Sequence, residues 1–96
     1  MRMKASLEVE QLYKQLALVF GVSAGEFIVF CSCLNHQQEK YAEQQSAFTF
    51  QDIALRLNIS REAAKRAMIS LAIKKLIIRT SGGYTVDVDA LKAVDL

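Results

Sequence analysis

Apolar side chains recur at intervals of three and four residues near the start of the chain. Over residues 5–20 they are Leu7, Leu12, Leu16, Val19 and Phe20. This spacing places them on one face of an amphipathic helix. Gly21 follows, and glycine commonly ends a helix because it adopts a positive φ without a steric penalty. The pattern therefore predicts a helix over residues 5–20.

A second helix is predicted to begin after Ser23. Glu26 stands three residues later, which is the spacing of a capping box, in which each side chain accepts a hydrogen bond from the other residue's backbone N–H. The segment from Phe27 to Leu34 is apolar at all but one position, so this helix is expected to be the most buried one. The residues after Leu34 are polar, and the helix is expected to continue, exposed, to about Gln44.

Capping residues predict two further helices in the second half of the chain. Thr49 and Ser60 are typical N-cap residues, and Asn58 tolerates the left-handed conformation that a tight turn requires. These positions predict a helix over residues 50–57, a turn, and a longer helix over residues 61–75.

Short β segments flank these two helices. Residues 46–50 contain β-forming side chains and predict a very short strand. Residues 76–80 are rich in β-branched side chains and residues 84–88 alternate at period two, so the two glycines between them predict a hairpin turn. Asp89 is a candidate N-cap for a last short helix over residues 90–95.

The net charge of +2 hides an uneven distribution. Residues 48–80 hold seven basic and two acidic side chains, a net +5, whereas the segments before and after them have net charges of −1 and −2. A local positive field attracts phosphates, although a solvated helix face has the same composition. The basic segment therefore indicates a nucleic-acid partner, with a solvated face as the alternative.

The order of the predicted elements and one internal motif resemble a known family. Ala54, Asn58 and Ala64 stand where the winged helix-turn-helix family has a small residue, a left-handed turn residue and an apolar residue. The small residue lets the two helices cross closely, and the later apolar residue fills the crossing point. The similarity extends over residues 24–88 and is sharpest over residues 49–79.

This resemblance implies a mainly α-helical fold with a small β-hairpin, in one domain spanning residues 1–96. The helix over residues 5–20 is then an extra N-terminal helix. The helix-turn-helix occupies residues 49–75, and the wing occupies residues 76–88. Lys75 stands where the family usually has glycine, so the long helix is expected to run into the wing without a left-handed cap.

The family places the N-terminal half of the second motif helix in the major groove of DNA. There arginine can donate two hydrogen bonds to guanine, and lysine or arginine neutralises phosphate. Glu62 is expected to accept a hydrogen bond from the amino group of a cytosine or, alternatively, to form an ion pair with Arg66 one helical turn away. Residues at the starts of both motif helices and in the wing are expected to contact the DNA backbone. The predicted DNA-binding residues are Thr49, Gln51, Ser60, Arg61, Glu62, Lys65, Arg66, Ser70, Lys74, Arg79 and Ser81.

Apolar residues beyond the needs of one small domain predict a homodimer. The candidate interface is Leu12 and Leu16 on the first helix, with Ile69 and Ile73 on the outward face of the basic helix. Alternatively, the first helix only covers the monomer core and the isoleucines contact thymine methyl groups. The size of the chain and this apolar edge are also loosely similar to the TubR-like segregation adaptors of plasmids and phages, which dimerise near their recognition helices.

Cys31, Cys33 and His36 are candidate metal ligands, but residues two apart on a helix diverge and no second pair completes four ligands. Buried cysteines and a solvated histidine are expected instead, with no metal and no cofactor. The sequence holds no nucleophile–base pair, phosphate loop or carboxylate cluster, so an enzyme is not expected.

These patterns together predict a dimeric, sequence-specific double-stranded DNA-binding protein, acting as a transcriptional regulator. The longest apolar stretch is far short of the roughly 20 residues that span a membrane, and two cysteines one residue apart fit a reduced cytoplasm. One alternative is a plasmid or phage segregation adaptor, which also binds a second protein. The other is a winged-helix protein-interaction module that does not bind DNA.

Overall fold

The computed structural model describes residues 2–39, 47–87 and 89–90, with side chains described from residue 9 to residue 37 and in the two later ranges. In the described residues four helices precede an antiparallel hairpin, which confirms the predicted mainly α-helical fold with a small β-hairpin. The elements are α1 (Arg2–Phe20), α2 (Ala24–Glu39), α3 (Phe50–Leu57), α4 (Arg61–Ile73), β1 (Ile77–Thr80) and β2 (Gly83–Val86). The predicted extension of α2 to Gln44, the end of the second strand at Val88, the helix beyond Ala90 and the side chain of Leu7 lie outside the described residues.

The first two helices meet at the predicted glycine. Gly21 has a φ of +72°, and its N–H donates to the carbonyl of Ala17 at 3.0 Å. Ser23 and Glu26 form the predicted capping box, with hydrogen bonds of 3.1 and 3.2 Å. α2 packs against α1, α3, α4 and β2 and buries Phe30 completely, so it is the central helix.

Local hydrogen bonds fix both ends of α3. The Thr49 side chain accepts from the Asp52 N–H at 3.2 Å, and the Asp52 carboxylate accepts from the Thr49 N–H at 2.8 Å. Asn58 is left-handed, with φ 56° and ψ 48°. The N–H of Ile59 then donates to the Ala54 carbonyl at 3.0 Å, which is the hydrogen bond of a Schellman cap. α3 and α4 are therefore joined by the predicted tight turn.

The end of α4 corrects the expectation for Lys75. This lysine has a φ of +67°, so α4 ends in a left-handed cap before β1 begins. The Lys75 N–H donates to the Ala72 carbonyl and the Leu76 N–H to the Leu71 carbonyl, both at 3.0 Å. Leu71 and Leu76 are completely buried. Their burial offsets the roughly 1–2 kcal/mol that the left-handed conformation costs a residue with a Cβ.

The hairpin is attached to the helices through Phe48. β1 and β2 pair along their full length, and on its other edge β2 meets the segment before α3. The Phe48 N–H donates to the Tyr84 carbonyl and the Tyr84 N–H donates to the Phe48 carbonyl, both at 2.8 Å. Within the described part of the predicted strand 46–50, this single bridge is the only β pairing.

His36 and Gln37, near the end of α2, are partly covered, contrary to the expectation of an exposed continuation. The Gln37 Oε1 accepts from the Val86 N–H at 2.7 Å. The His36 side chain is only 15% exposed, with Nε2 3.9 Å from a carboxylate oxygen of Asp52 and its ring edge-on to Phe48. The predicted solvated histidine is therefore wrong, because α3 and β2 cover this end of α2.

Candidate nucleic-acid interface

The first two turns of α4 carry four exposed charged side chains: Arg61, Glu62, Lys65 and Arg66. The opposite face of the helix is buried at Ala64, Met68 and Leu71. Ser60 caps the helix, its hydroxyl accepting from the Ala63 N–H at 3.0 Å. The buried face anchors α4, so the charged face points to solvent.

The three cations of this face are unpaired among the described residues. Glu62 and Arg66 have the spacing of a helical ion pair, but their side chains form none. Arg61 and Lys65 likewise contact no described carboxylate. Their full positive charge is available to an anionic partner.

Ser70 and Lys74, two of the predicted DNA-binding residues, turn toward α2 instead. The Lys74 Nζ lies 2.5 Å from the Glu26 Oε1, and the Ser70 hydroxyl donates to the Glu26 Oε2. The side chains of Lys74 and Glu26 are only 25% and 17% exposed. Glu26 therefore holds both side chains against α2, and neither projects freely from the outward face of α4.

These contacts change the acidity of Glu26. Partial burial raises the pKa of this carboxyl, but hydrogen bonds from Lys74, Ser70 and the Ser23 backbone, together with the Lys74 charge, outweigh burial and lower the pKa from 4.5 to about 2. A carboxylate with a lowered pKa stabilises the fold above its unfolded-state pKa, and this contribution is lost as the pH falls through the folded-state pKa. Glu26 should therefore make the fold sensitive to acid between about pH 4.5 and pH 2.

We expect Glu26→Gln to reduce the acid sensitivity of the fold. Its free energy of unfolding in urea at neutral pH should fall on the order of 1–2 kcal/mol below that of the wild type, and the difference should shrink at low pH because the Glu26 carboxylate of the wild type is then protonated and no longer pairs with Lys74. The control is Glu10→Gln, since Glu10 forms an exposed pair with Lys14 at 3.9 Å. A Glu26→Gln difference that stays constant from neutral to acidic pH would contradict the assignment.

A cleft between the start of α3 and the hairpin brings together predicted residues from two segments. Thr49, Arg79 and Ser81 line it, with Phe50 and Tyr84, and its volume is about 230 Å³. The rings of Phe50 and Tyr84 lie 5.5 Å apart, and Arg79 is exposed. An exposed guanidinium beside two hydroxyl groups can hold a phosphate oxygen. Gln51, on the first turn of α3, is exposed but does not line the cleft.

The four residues predicted to form the dimer interface differ in their exposure to solvent. Ile73 is 75% exposed and Ile69 is 39% exposed. Leu16 is completely buried and Leu12 packs half-buried against the same core. The prediction for Leu16 is wrong, because this side chain faces the interior of its own domain. Among the side chains of α1 that the structure describes, from residue 9 onward, the exposed large apolar residues are instead Val9, Leu18 and Val19.

Sequence reasoning missed a groove, which we call the α2–α4 groove, between the start of α2, the α3–α4 turn and α4. Its volume is about 690 Å³. The lining residues are Ser23, Gly25, Glu26, Ile28, Val29, Leu57, Ile59, Ala63, Arg66 and Ala67. The one sequence signal is the presence of small residues on both helices, which becomes informative only when the helices are known to face each other.

Burial disfavours the thiolate form of both cysteines. Burial, with a smaller effect of the neighbouring Cys31, raises the pKa of Cys33 to about 12, and burial also raises the pKa of Cys31. Among the described residues, no group of three or more His, Cys, Asp and Glu side chains could hold a metal ion. In the same part of the chain, no single helix is long and apolar enough to span a membrane. The helical segments Val9–Phe20 and Ala24–Gln37 meet that length and composition only when taken together, and a bend of 114° separates them.

Comparisons with known proteins do not identify this interface. The chain matches no family model, and neither a curated protein nor a solved structure matches it. The surface itself carries guanidinium and ammonium groups that project from a capped helix and have no ion-pair partner in the described ranges of the chain. Such groups bind phosphate and the acceptor edge of guanine.

Proposed function

We propose that this chain is a sequence-specific double-stranded DNA-binding protein that acts as a homodimeric transcriptional regulator in the cytoplasm. The observation that carries the proposal is the cluster of Arg61, Lys65 and Arg66, exposed and unpaired among the described residues, at the start of α4. The tight turn at Asn58 joins this helix to α3. A helix presented in this way can enter the major groove of DNA.

Each element has a distinct role in the proposed complex. Arg66, exposed at the rim of the α2–α4 groove, donates to a guanine, while Arg61 and Lys65 neutralise phosphates. The cleft at Thr49 and Arg79 holds the sugar–phosphate backbone beside the groove, which sets the register but reads no bases. Gln51, Ser60 and Ser81 are exposed and extend these backbone contacts.

A dimer is proposed because one small module buries little DNA surface, whereas two modules on adjacent half-sites add their contacts. Ile69 and Ile73 continue the stripe of Arg66 along α4. Their exposure also favours a second candidate, a segregation adaptor whose copies pair through α4. On DNA that carries many tandem sites, electron microscopy would show isolated dimers for a regulator and a continuous protein filament or ring for an adaptor.

Salt dependence tests the proposal most directly. If Arg61, Lys65 and Arg79 of each protomer each neutralise one phosphate, a dimer makes about six such contacts, and raising salt from about 50 to 200 mM should weaken duplex binding on the order of 1,000-fold. Fluorescence anisotropy on fragments selected from source DNA measures this slope. No binding to any duplex at low salt would contradict the proposal and would support the protein-interaction module.

A further inference from the structure

The α2–α4 groove is open to solvent and large enough to hold a small molecule. Its volume of about 690 Å³ falls within the range of roughly 300–1,000 Å³ that is typical of ligand pockets. Its walls are mainly apolar: Ile28, Val29, Leu57, Ile59, Ala63 and Ala67. Ile28 and Ile59 are 56% and 37% exposed, so part of this apolar surface is in contact with water.

Small residues keep the groove open. Gly25 on α2 has nothing within 4 Å of the position where a Cβ would stand. Ala63 is exposed on the facing side of α4, and Ala67 one turn later is half-buried. Larger side chains at these positions would fill the space between the helices.

The charges around the groove favour an anion. Its two ionisable lining residues are Glu26 and Arg66. Glu26 is neutralised by Lys74 at 2.5 Å and also accepts from Ser70. Arg66 has no ion-pair partner among the described residues. Ser23 and Gly25 bring the start of α2 to the groove, and a helix N-terminus carries partial positive charge.

We propose that the α2–α4 groove binds a small apolar carboxylate. The hydrocarbon body lies along Ile28, Val29 and Ile59, and the carboxylate takes Arg66 as its counter-ion. Arginine suits this role because its guanidinium donates two parallel hydrogen bonds to a carboxylate. Since Arg66 is also a DNA contact in the proposed function, on which this second step rests, an occupied groove withdraws Arg66 from DNA and weakens binding.

Decanoate, kept below its micelle concentration, is the probe, and isothermal titration calorimetry without DNA is the measurement. Arg66→Met should weaken decanoate binding roughly tenfold or more, because the charge-assisted hydrogen bonds are lost while the side-chain stem remains. The matched control is Arg61→Met, which removes an exposed arginine of the same helix that does not line the groove. It should leave the affinity within about twofold.

Ala63→Leu tests the position of the site independently of charge. Leucine is a good helix former and Ala63 is exposed, so the variant should fold, which circular dichroism verifies, while its side chain occupies the groove. It should also weaken decanoate binding roughly tenfold or more. Absence of decanoate binding to the wild type, unchanged affinity in Ala63→Leu, or equal losses in Arg66→Met and Arg61→Met would each overturn the site.

Adding decanoate to the duplex-binding assay separates this inference from the proposed function. Weaker DNA binding with decanoate supports the coupling, and unchanged DNA binding at saturating decanoate overturns it. If decanoate binds as expected but no duplex does, the proposed function fails and the groove remains a ligand site. If DNA binds but decanoate does not, the groove proposal fails alone.

Discussion

Gly83→Ala is expected to destabilise the fold by about 2–4 kcal/mol and to lower the Tm by roughly 10 °C or more. Gly83 has a φ of +138°, a conformation that is essentially restricted to glycine. A Cβ at this position would also lie 2.4 Å from the backbone carbonyl oxygen of Phe48 and 3.0 Å from the carbonyl carbon of the same residue. Because this oxygen accepts the Tyr84 N–H at 2.8 Å, it cannot move away without weakening that hydrogen bond.

Gly82→Ala is the matched control for this prediction. A Cβ on Gly82 would lie 3.5 Å from the Cβ of Ala47, which is an ordinary van der Waals contact, and the φ of Gly82 is not in the positive region. Both variants remove one glycine from the same turn, so they share the change in unfolded-state entropy. Urea and thermal unfolding should find Gly82→Ala within about 1 kcal/mol of the wild type. Equal stability of the two variants would contradict the close approach at Phe48.

The same close approach positions part of the candidate interface. Phe48 is completely buried and directly precedes Thr49, which caps α3 and lines the cleft with Arg79. Gly83 allows the backbone of β2 to lie against Phe48, so the hairpin stands beside the start of α3. A structural glycine therefore brings together a helix cap and a strand arginine that are 30 positions apart in the chain.

The elements that could be predicted from the sequence are those with local causes. The caps at Ser23, Thr49 and Ser60 use hydrogen bonds between residues three apart, so their partners can be identified from the chain alone. The left-handed Asn58 was predictable for the same reason, because few other residues tolerate that conformation. These local signals account for the accurate bounds of α3 and the start of α4.

The errors concern contacts between residues distant in sequence. Ser70 and Lys74 were predicted to contact DNA, but Glu26, 44 and 48 positions earlier, holds both side chains against α2. A helical angle shows which way a residue points, not which other helix crosses there. Leu16 and Gln37 were misplaced in the same way, since their environments depend on where α2 and β2 pack.

Lys75 shows how burial overrides a local preference. Its conformation favours glycine, and glycine was the only local signal that could have predicted a left-handed cap. The cap forms because Leu71 and Leu76 on either side of it reach the core. The apolar character of these two leucines was visible in the sequence, but their direction relative to the core was not.

Replacing Lys65 and Arg66 together with alanine is expected to lower duplex affinity by roughly 100-fold or more at moderate salt, and to reduce the magnitude of the salt slope by about 1 per protomer through the loss of the Lys65 phosphate contact. Both side chains are exposed on α4 and unpaired among the described residues, so their removal breaks no internal ion pair. Alanine is the best helix former, so the free energy of unfolding should change little. Anisotropy titrations at several salt concentrations, with urea unfolding of the same samples, measure both quantities.

Lys14→Ala and Lys74→Ala make this test specific. Lys14 lies on α1 in an exposed pair with Glu10, so its loss should leave the salt slope unchanged. Lys74 belongs to the basic segment by sequence but is held by Glu26, so its loss should lower stability more than DNA affinity. If all three variants lost affinity equally, general positive charge would explain binding and the α4 surface would not be the reading element. A loss confined to Lys65→Ala/Arg66→Ala requires a partner that contacts that surface directly.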